Sequence, residues 1–151
     1  MTQRTVRDSA TIDAPAALVY RVIADYRDHH PHIVPSKYFR RITVEEGGVG
    51  KGTRTMVEMR VLGRTSLLTH LIYEPEPGRV LQEVDASGFS TTTFTVDPEN
   101  GGRSARVTIE TSFRVRPGVL GAVQGWITAA VLRRIYPLEL AQLDRYARSL
   151  S

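Results

Sequence analysis

The sequence contains no cysteine. Disulfides, thiolate-bound zinc, iron–sulfur clusters and a cysteine nucleophile are excluded together. Lysine is nearly missing: Lys37 and Lys51 are the only two, and the other 18 of the 20 basic residues are arginine. Aromatic residues are few, with one Trp, six Tyr and four Phe. No stretch of about 18 apolar residues occurs, so no membrane span is expected. The opening Met1-Thr2-Gln3-Arg4-Thr5 has no apolar signal core, which makes the cytoplasm the expected compartment. There is no nucleophile elbow, zinc-protease helix motif or dinucleotide glycine fingerprint.

The chain has 151 residues, enough for a single domain over 1–151 with its own core. Hydrophobic residues make up 41% and charged residues 24%, the balance of a globular protein. The net charge is +4. The arginines run from Arg4 to Arg148 and never exceed a doublet, as in Arg40-Arg41 and Arg133-Arg134. Nucleic-acid binders gather such charge in one run or face. These arginines therefore read as solvated faces, and no nucleic-acid partner is expected.

Residues 5–12 alternate loosely and predict a strand. Asp13-Ala14-Pro15 supplies a helix start. Leu18, Val19, Val22, Ile23 and Tyr26 follow at helical spacing, to an end near Asp28. Pro31 opposes a helical residue before it, so a short separate turn is expected around Pro31–Val34. From 38 to 116, β-rich runs near 38–46, 53–62, 65–74, 79–86, 89–97 and 103–115 alternate with short turn signals. Connections this short make hairpins, hence an antiparallel meander. Residues 119–150 predict a long helix kinked at Pro137. Its apolar face reads as Val123, Ile127, Ala130, Val131 and Arg134, then Leu138, Ala141 and Tyr146. The order is α+β: a curved sheet of six or seven strands, one long helix to cover it, and a short N-terminal helical pair.

One helix on a broad curved sheet leaves a space between them, the default small-molecule site. Small strand residues such as Thr55, Thr92, Ala105 and Thr111 favour that space. Alternation marks Ala105, Val107, Ile109 and Phe113 as inward on the last strand, and Val57, Met59 and Val61 on the second. Carrying parity across a Gly63-Arg64 loop sets Met59 opposite Leu68 and Val57 opposite His70. A four-residue Pro75–Gly78 loop sets His70 opposite Glu83 and Ile72 opposite Leu81. A Ser87-Gly88 loop sets Leu81 opposite Phe94. His70, Glu83, Asp85 and Thr92 then point inward among apolar residues. A His70–Glu83 pair there suits general acid–base work or the orientation of a polar ligand head.

Gly47-Gly48-Val49-Gly50-Lys51-Gly52-Thr53 imitates a phosphate loop but has Glu45 at the first glycine position and a strand where the helix belongs. It reads as a flexible hairpin loop able to gate a cavity. His29, His30 and His32 read as a solvated cluster rather than a metal site.

Several segments, in order, resemble the START/SRPBCC superfamily. Thr11-Ile12-Asp13-Ala14-Pro15-Ala16-Ala17-Leu18-Val19-Tyr20 is similar to its I-x-A-P-x-x-V-W/Y opening. Asp25-Tyr26 with Pro31 and Pro35 resembles its D-Y/W…P…P segment. Gly50, Gly52-Thr53-Arg54 resembles its G-x-G-x-R loop, and Tyr73-Glu74-Pro75-Glu76-Pro77-Gly78-Arg79 its Y-E-P-P-x-R turn. Gly101-Gly102-Arg103-Ser104-Ala105-Arg106-Val107 resembles the G-G-T-x-V start of the last strand, with Ser-Ala where Thr is common. The resemblance spans nearly the whole chain. It implies a helix-grip fold with a hydrophobic pocket, closest to the polyketide cyclase/dehydrase and lipid-transport branch, and mostly without metal or cofactor.

The residues expected to line that pocket are Tyr26, Val57, Met59, Leu68, His70, Ile72, Leu81, Glu83, Thr92, Phe94, Val107, Ile109, Val123, Ile127 and Val131. His70 and Glu83 are the catalytic candidates. The branch shares no catalytic residue, so the resemblance establishes no enzyme. The expected function is binding or transport of a small hydrophobic molecule (a lipid, polyketide or quinone), by a monomer or homodimer. The alternatives are a polyketide aromatase/cyclase and a ribosome- or partner-associated interaction protein.

Overall fold

The structure, a computed structural model, describes residues 2–151, and Met1 lies outside them. Its elements are β1 (Thr2–Ile12), α1 (Ala16–Ala24), a 3-10 turn (His30–His32), β2 (Phe39–Glu46), β3 (Arg54–Val61), β4 (Arg64–Glu76), β5 (Val80–Asp85), β6 (Ser90–Glu99), a second 3-10 turn (Asn100–Gly102), β7 (Ser104–Val115) and α2 (Gly118–Leu150). All strands pair antiparallel in one seven-stranded sheet of order β1-β7-β6-β5-β4-β3-β2. The helix-grip architecture and its α+β class are as expected.

The hairpins form where the turn residues dictate, but two registers differ from expectation. The β3–β4 loop is Leu62-Gly63, both at positive φ (51° and 77°), and Val61 pairs with Arg64. Two left-handed residues in succession match the right-handed twist of the flanking strands. Met59 therefore sits opposite Ser66, Val57 opposite Leu68, and Thr55 opposite His70. An irregularity between Tyr73 and Glu76 then sets His70 opposite Asp85 and Ile72 opposite Glu83. Leu81 does pair with Phe94. Each slip moves the pairing by two residues, so inward and outward faces are preserved.

The inner face is banded along the strands. Leu81, Phe94 and Ile109 form one row and Val96 and Val107 the next, all buried. These rows belong to one apolar core with Val19, Val22 and Ile23 of α1 and Leu140, Leu143 and Ala147 of α2. This end of the molecule is solid. Nearer the hairpin tips come Glu83, Thr92 and Thr111 in one row, then Thr55, His70 and Asp85.

The buried face of α2 is Gly121, Gly125, Ala129, Ile135, Tyr136, Glu139, Leu140, Leu143 and Ala147. It is not the apolar stripe that periodicity selects. Val123 and Leu138 are about half exposed, and Arg134 and Ala141 lie outside. Small residues win this face because the helix backbone approaches β7 closely: a Cβ on Gly121 would collide with the Arg116 carbonyl, and one on Gly125 would press on Val115 at 3.1 Å. Pro137 stands on the exposed side, inside an element that continues to Leu150.

The glycine loop is stapled down rather than free to gate. Tyr26 N–H donates to Gly48 O at 2.8 Å, Gly50 N–H to Ala24 O at 2.9 Å, and Gly52 N–H to Ile72 O at 3.1 Å. Arg27 donates to Gly47 O. Glu74 completes the staple, accepting from Tyr20 Oη at 2.7 Å and from Lys51 N–H at 3.0 Å. Gly50 has φ +65°, and a Cβ there would meet the Glu74 carboxylate at 2.6 Å. Gly50→Ala adds backbone strain of about 1–3 kcal/mol to this collision. We expect its unfolding midpoint to fall by about 2–4 °C per kcal/mol; an unchanged midpoint in thermal unfolding would show that the staple is dispensable.

Candidate functional site

Between the inner face of the sheet, the 3-10 turn at His30 and the middle of α2 lies a cavity of about 330 Å³. That size falls within the range of single small-molecule sites. Its walls toward the hairpin tips are apolar: Phe39, Ile42, Val57, Met59, Val61 and Leu68 from β2–β4, Phe89 and Phe113 at the far side, and Ile127, Val131 and Leu132 from α2. Its floor, against the solid core, carries Tyr26, His30, Glu83, Tyr136 and Glu139.

At the floor Tyr26 donates its hydroxyl to Glu83 Oε1 at 2.6 Å. The same oxygen lies 3.4 Å from His30 Nε2. His30 is buried, stacked on Tyr26 with centroids 4.3 Å apart and edge-on to Phe94 at 5.8 Å. Its Nδ1 is 2.7 Å from the carbonyl oxygen of Ile23. A carbonyl only accepts, so Nδ1 carries a proton. Burial pushes the imidazole pKa down, against the pull of Glu83. Neutral His30 thus turns the bare lone pair of Nε2 toward Glu83, and the Tyr26–Glu83–His30 chain has acceptor capacity left over. Burial, then the charge of Glu83, also raises the Tyr26 hydroxyl, which keeps it a donor.

Glu139, from α2, lines the same cavity and is only 4% exposed. No hydrogen bond or ion pair reaches its carboxyl among the described residues. Burial, then the charge of Glu83, pushes this carboxyl well above the usual carboxylate range. Its protonated form is favoured, since two buried carboxyls facing one cavity oppose joint ionisation. One floor therefore holds a hydrogen-bond donor acid and an acceptor carboxylate with a histidine behind it.

The rest of the floor is hydroxylic. Tyr136, raised chiefly by burial, bonds Thr111, which bonds Thr92 at 2.7 Å. Thr55 Oγ1 is buried in the cavity wall with no partner. His70 lines the cavity opposite Asp85. Asp85 is engaged elsewhere, accepting from Ser87 N–H and Oγ at 2.9 Å each.

Of the residues read from sequence, Tyr26, Val57, Met59, Leu68, His70, Glu83, Thr92, Phe94, Ile127 and Val131 line the cavity. Ile72, Leu81, Val107 and Ile109 do not: they point inward but are packed in the core, where α1 and α2 leave no space. Val123 does not either, because the small-residue face of α2 turns it outward. The His70–Glu83 pair is also corrected, since His30 takes the place beside Glu83 and His70 forms no ion pair or hydrogen bond among the described residues. The histidine cluster divides. His30 goes into the floor, while His29 bonds Tyr146 Oη at 2.7 Å and His32 stacks on the same ring.

Among the described residues, no three His, Cys, Asp or Glu side chains converge as metal ligands. Glu139 and Tyr136 went unread in the sequence. A signal existed: the spacing of Gly121, Gly125, Ala129, Leu132, Tyr136 and Glu139 follows one helical face. For His30 no local signal existed, because its burial depends on Ile23 and Glu83 from distant segments.

No curated protein sequence matches the chain. Among solved structures, the KanY protein superposes with a TM-score of 0.83 at 26% identity, covering 98% of this chain and 99% of that one. The Zhui aromatase/cyclase, from a Streptomyces species, gives 0.80 at 18% identity, covering 97% and 94%. A START superfamily protein from Mycobacterium smegmatis gives 0.72 at 15% identity, covering 97% and 99%. Residues 3–148 match the family described as polyketide cyclase/dehydrase and lipid transport. With its motifs placed in a sheet that grips α2 around a cavity, the chain belongs to the START/SRPBCC superfamily, within the polyketide cyclase/dehydrase and lipid-transport family.

Proposed function

We propose that the protein binds one small lipophilic molecule carrying a carbonyl or hydroxyl group, apolar body toward the hairpin tips and oxygen toward the floor. The observation that carries this is the Glu139 carboxyl, which lines the cavity on a residue only 4% exposed and forms no hydrogen bond or ion pair among the described residues. A ligand oxygen accepting from the protonated carboxyl gains a hydrogen bond in an enclosed site, typically worth about 1 kcal/mol. Thr55 Oγ1 offers a second unpaired group on the same wall. The surrounding apolar walls supply affinity through burial, and family membership supports a hydrophobic ligand.

A second reading, an aromatase/cyclase, rests on a different observation: groups with divergent proton affinities share one cavity, the pattern of acid–base sites. Glu139 would give its proton to a ligand carbonyl oxygen while Glu83 takes the α-proton. The product is the enol, the nucleophile of an aldol closure. This acid–base pair replaces the His70–Glu83 pair.

Three outcomes are expected. In ligand screening by thermal shift and native mass spectrometry, aromatic or aliphatic ketones and phenols should bind. Glu139→Leu should weaken them about tenfold, the loss of one hydrogen bond of about 1.4 kcal/mol, while the ligand-free variant melts a few degrees higher because a buried unpaired carboxyl is gone. Equal binding by both proteins refutes the assignment.

The second concerns pH. The Glu139 carboxyl titrates higher folded than unfolded. Its contribution is complete below the unfolded value of about 4.3 and is lost as pH rises toward its folded value. The melting temperature of wild type minus that of Glu139→Gln should therefore fall from pH 4 to pH 7; parallel curves would show that Glu139 does not titrate this way. The third is deuterium exchange at the α-carbon of a bound β-diketone, faster than in buffer and lost in both Glu83→Gln and Glu139→Gln. Exchange at the buffer rate removes the cyclase reading.

A further inference from the structure

The start of α2 carries large apolar side chains that face water. Val119 is 81% exposed, Leu120 80% and Trp126 62%, with Val123 between them. Leu62, 79% exposed at the tip of the β3–β4 hairpin, lines a depression whose α2 wall includes Ile127, next in the chain to Trp126. Ile127 and Phe89 line both this depression and the cavity. The exposed apolar rim is thus continuous with the cavity interior. Large apolar residues gathered on one exposed face mark an interaction site.

The charges around the rim have one sign. Arg64, Arg114 and Arg116 line the depression. Arg133 and Arg134 flank the stripe about two turns further along α2, both exposed. Between residues 114 and 138 there is no aspartate or glutamate, and there is none between 60 and 67. Five of the 18 arginines lie in these segments, and none of the five forms an ion pair among the described residues.

We propose that this rim docks on an anionic lipid bilayer, with Leu62 and the Val119–Trp126 stripe entering the interface and the arginines contacting lipid phosphates. Interfacial helices join Trp and Leu on one face to flanking arginine in this way. The charge pattern disfavours a second copy as the occupant, because a symmetric dimer would set these arginines against themselves. No described helix is long and apolar enough to cross a membrane, so the contact is superficial. The docked cavity opens onto the lipid, and an apolar ligand can pass between the two without crossing water. The surface argument holds whatever molecule the cavity carries.

Trp126 is the only tryptophan in the chain, so its fluorescence reports this rim alone. With vesicles of equimolar phosphatidylcholine and phosphatidylglycerol, its emission should shift to shorter wavelength and the protein should sediment with the vesicles. Pure phosphatidylcholine should give neither effect, and added salt should reverse both. Leu120→Glu and Leu62→Glu alter exposed side chains and should keep the wild-type melting temperature while binding anionic vesicles roughly tenfold more weakly. Unchanged Trp126 emission with the protein left in the supernatant overturns the proposal. So does equal binding to both vesicle types, or a solution dimer that shields Trp126 from acrylamide quenching, which would assign the rim to a second copy.

Discussion

The close approach of α2 to β7 at Gly121 and Gly125 sets the shape of the molecule. With no side chain at either position, the helix backbone rests against Arg116 and Val115 at one side of the sheet. Beyond the β1–β7 side, the helix stands away from the inner face of β3–β5. At its other end the helix packs on α1, and the same sheet face is filled solid by Leu81, Phe94, Ile109 and Val107. A cavity forms where the helix is held off and a core forms where it is not. The boundary between them is where the polar residues lie.

That boundary is costly to maintain. Glu139, Glu83, His30 and the partnerless Thr55 hydroxyl occupy ground that aliphatic residues would fill more stably. The fold tolerates them because the packed half of the molecule carries the stability, and because Tyr26, Ile23 and Tyr136 satisfy part of the polar demand. Divergent proton affinities follow from this crowding rather than from any special residue. One carboxyl cannot easily ionise beside another in a site shielded from water, and burial makes the histidine resist a second proton.

Apart from Tyr26, which lies in the floor, the segments that make the family recognisable serve a different purpose. Tyr20, Gly50, Lys51 and Glu74 meet at one staple that fastens α1 to the sheet through the glycine loop. The staple holds α1 against the core, and the segment that follows α1 carries Tyr26 and His30 into the floor. It takes no part in the cavity itself. Family resemblance therefore reports the scaffold, while the residues facing the cavity are what distinguish one member's ligand from another's.

Local physics in the sequence determined the strands, their hairpin order and which side of each strand faces inward. Period-two alternation and glycine turns act over a few residues and survive a two-residue register slip, as at Leu62-Gly63. It also determined that α2 has an apolar stripe. Only the tertiary structure decided what that stripe meets, because small residues rather than large ones permit the helix to touch β7, and this turned Val123 outward and Glu139 inward. The same holds for His30, drawn from an apparently solvated cluster into the floor by Ile23 and Glu83. It holds also for Arg64, Arg114 and Arg116, which come from two separate segments and line one depression. Burial and charge proximity are sums over neighbours distant in sequence, and no local pattern contains them.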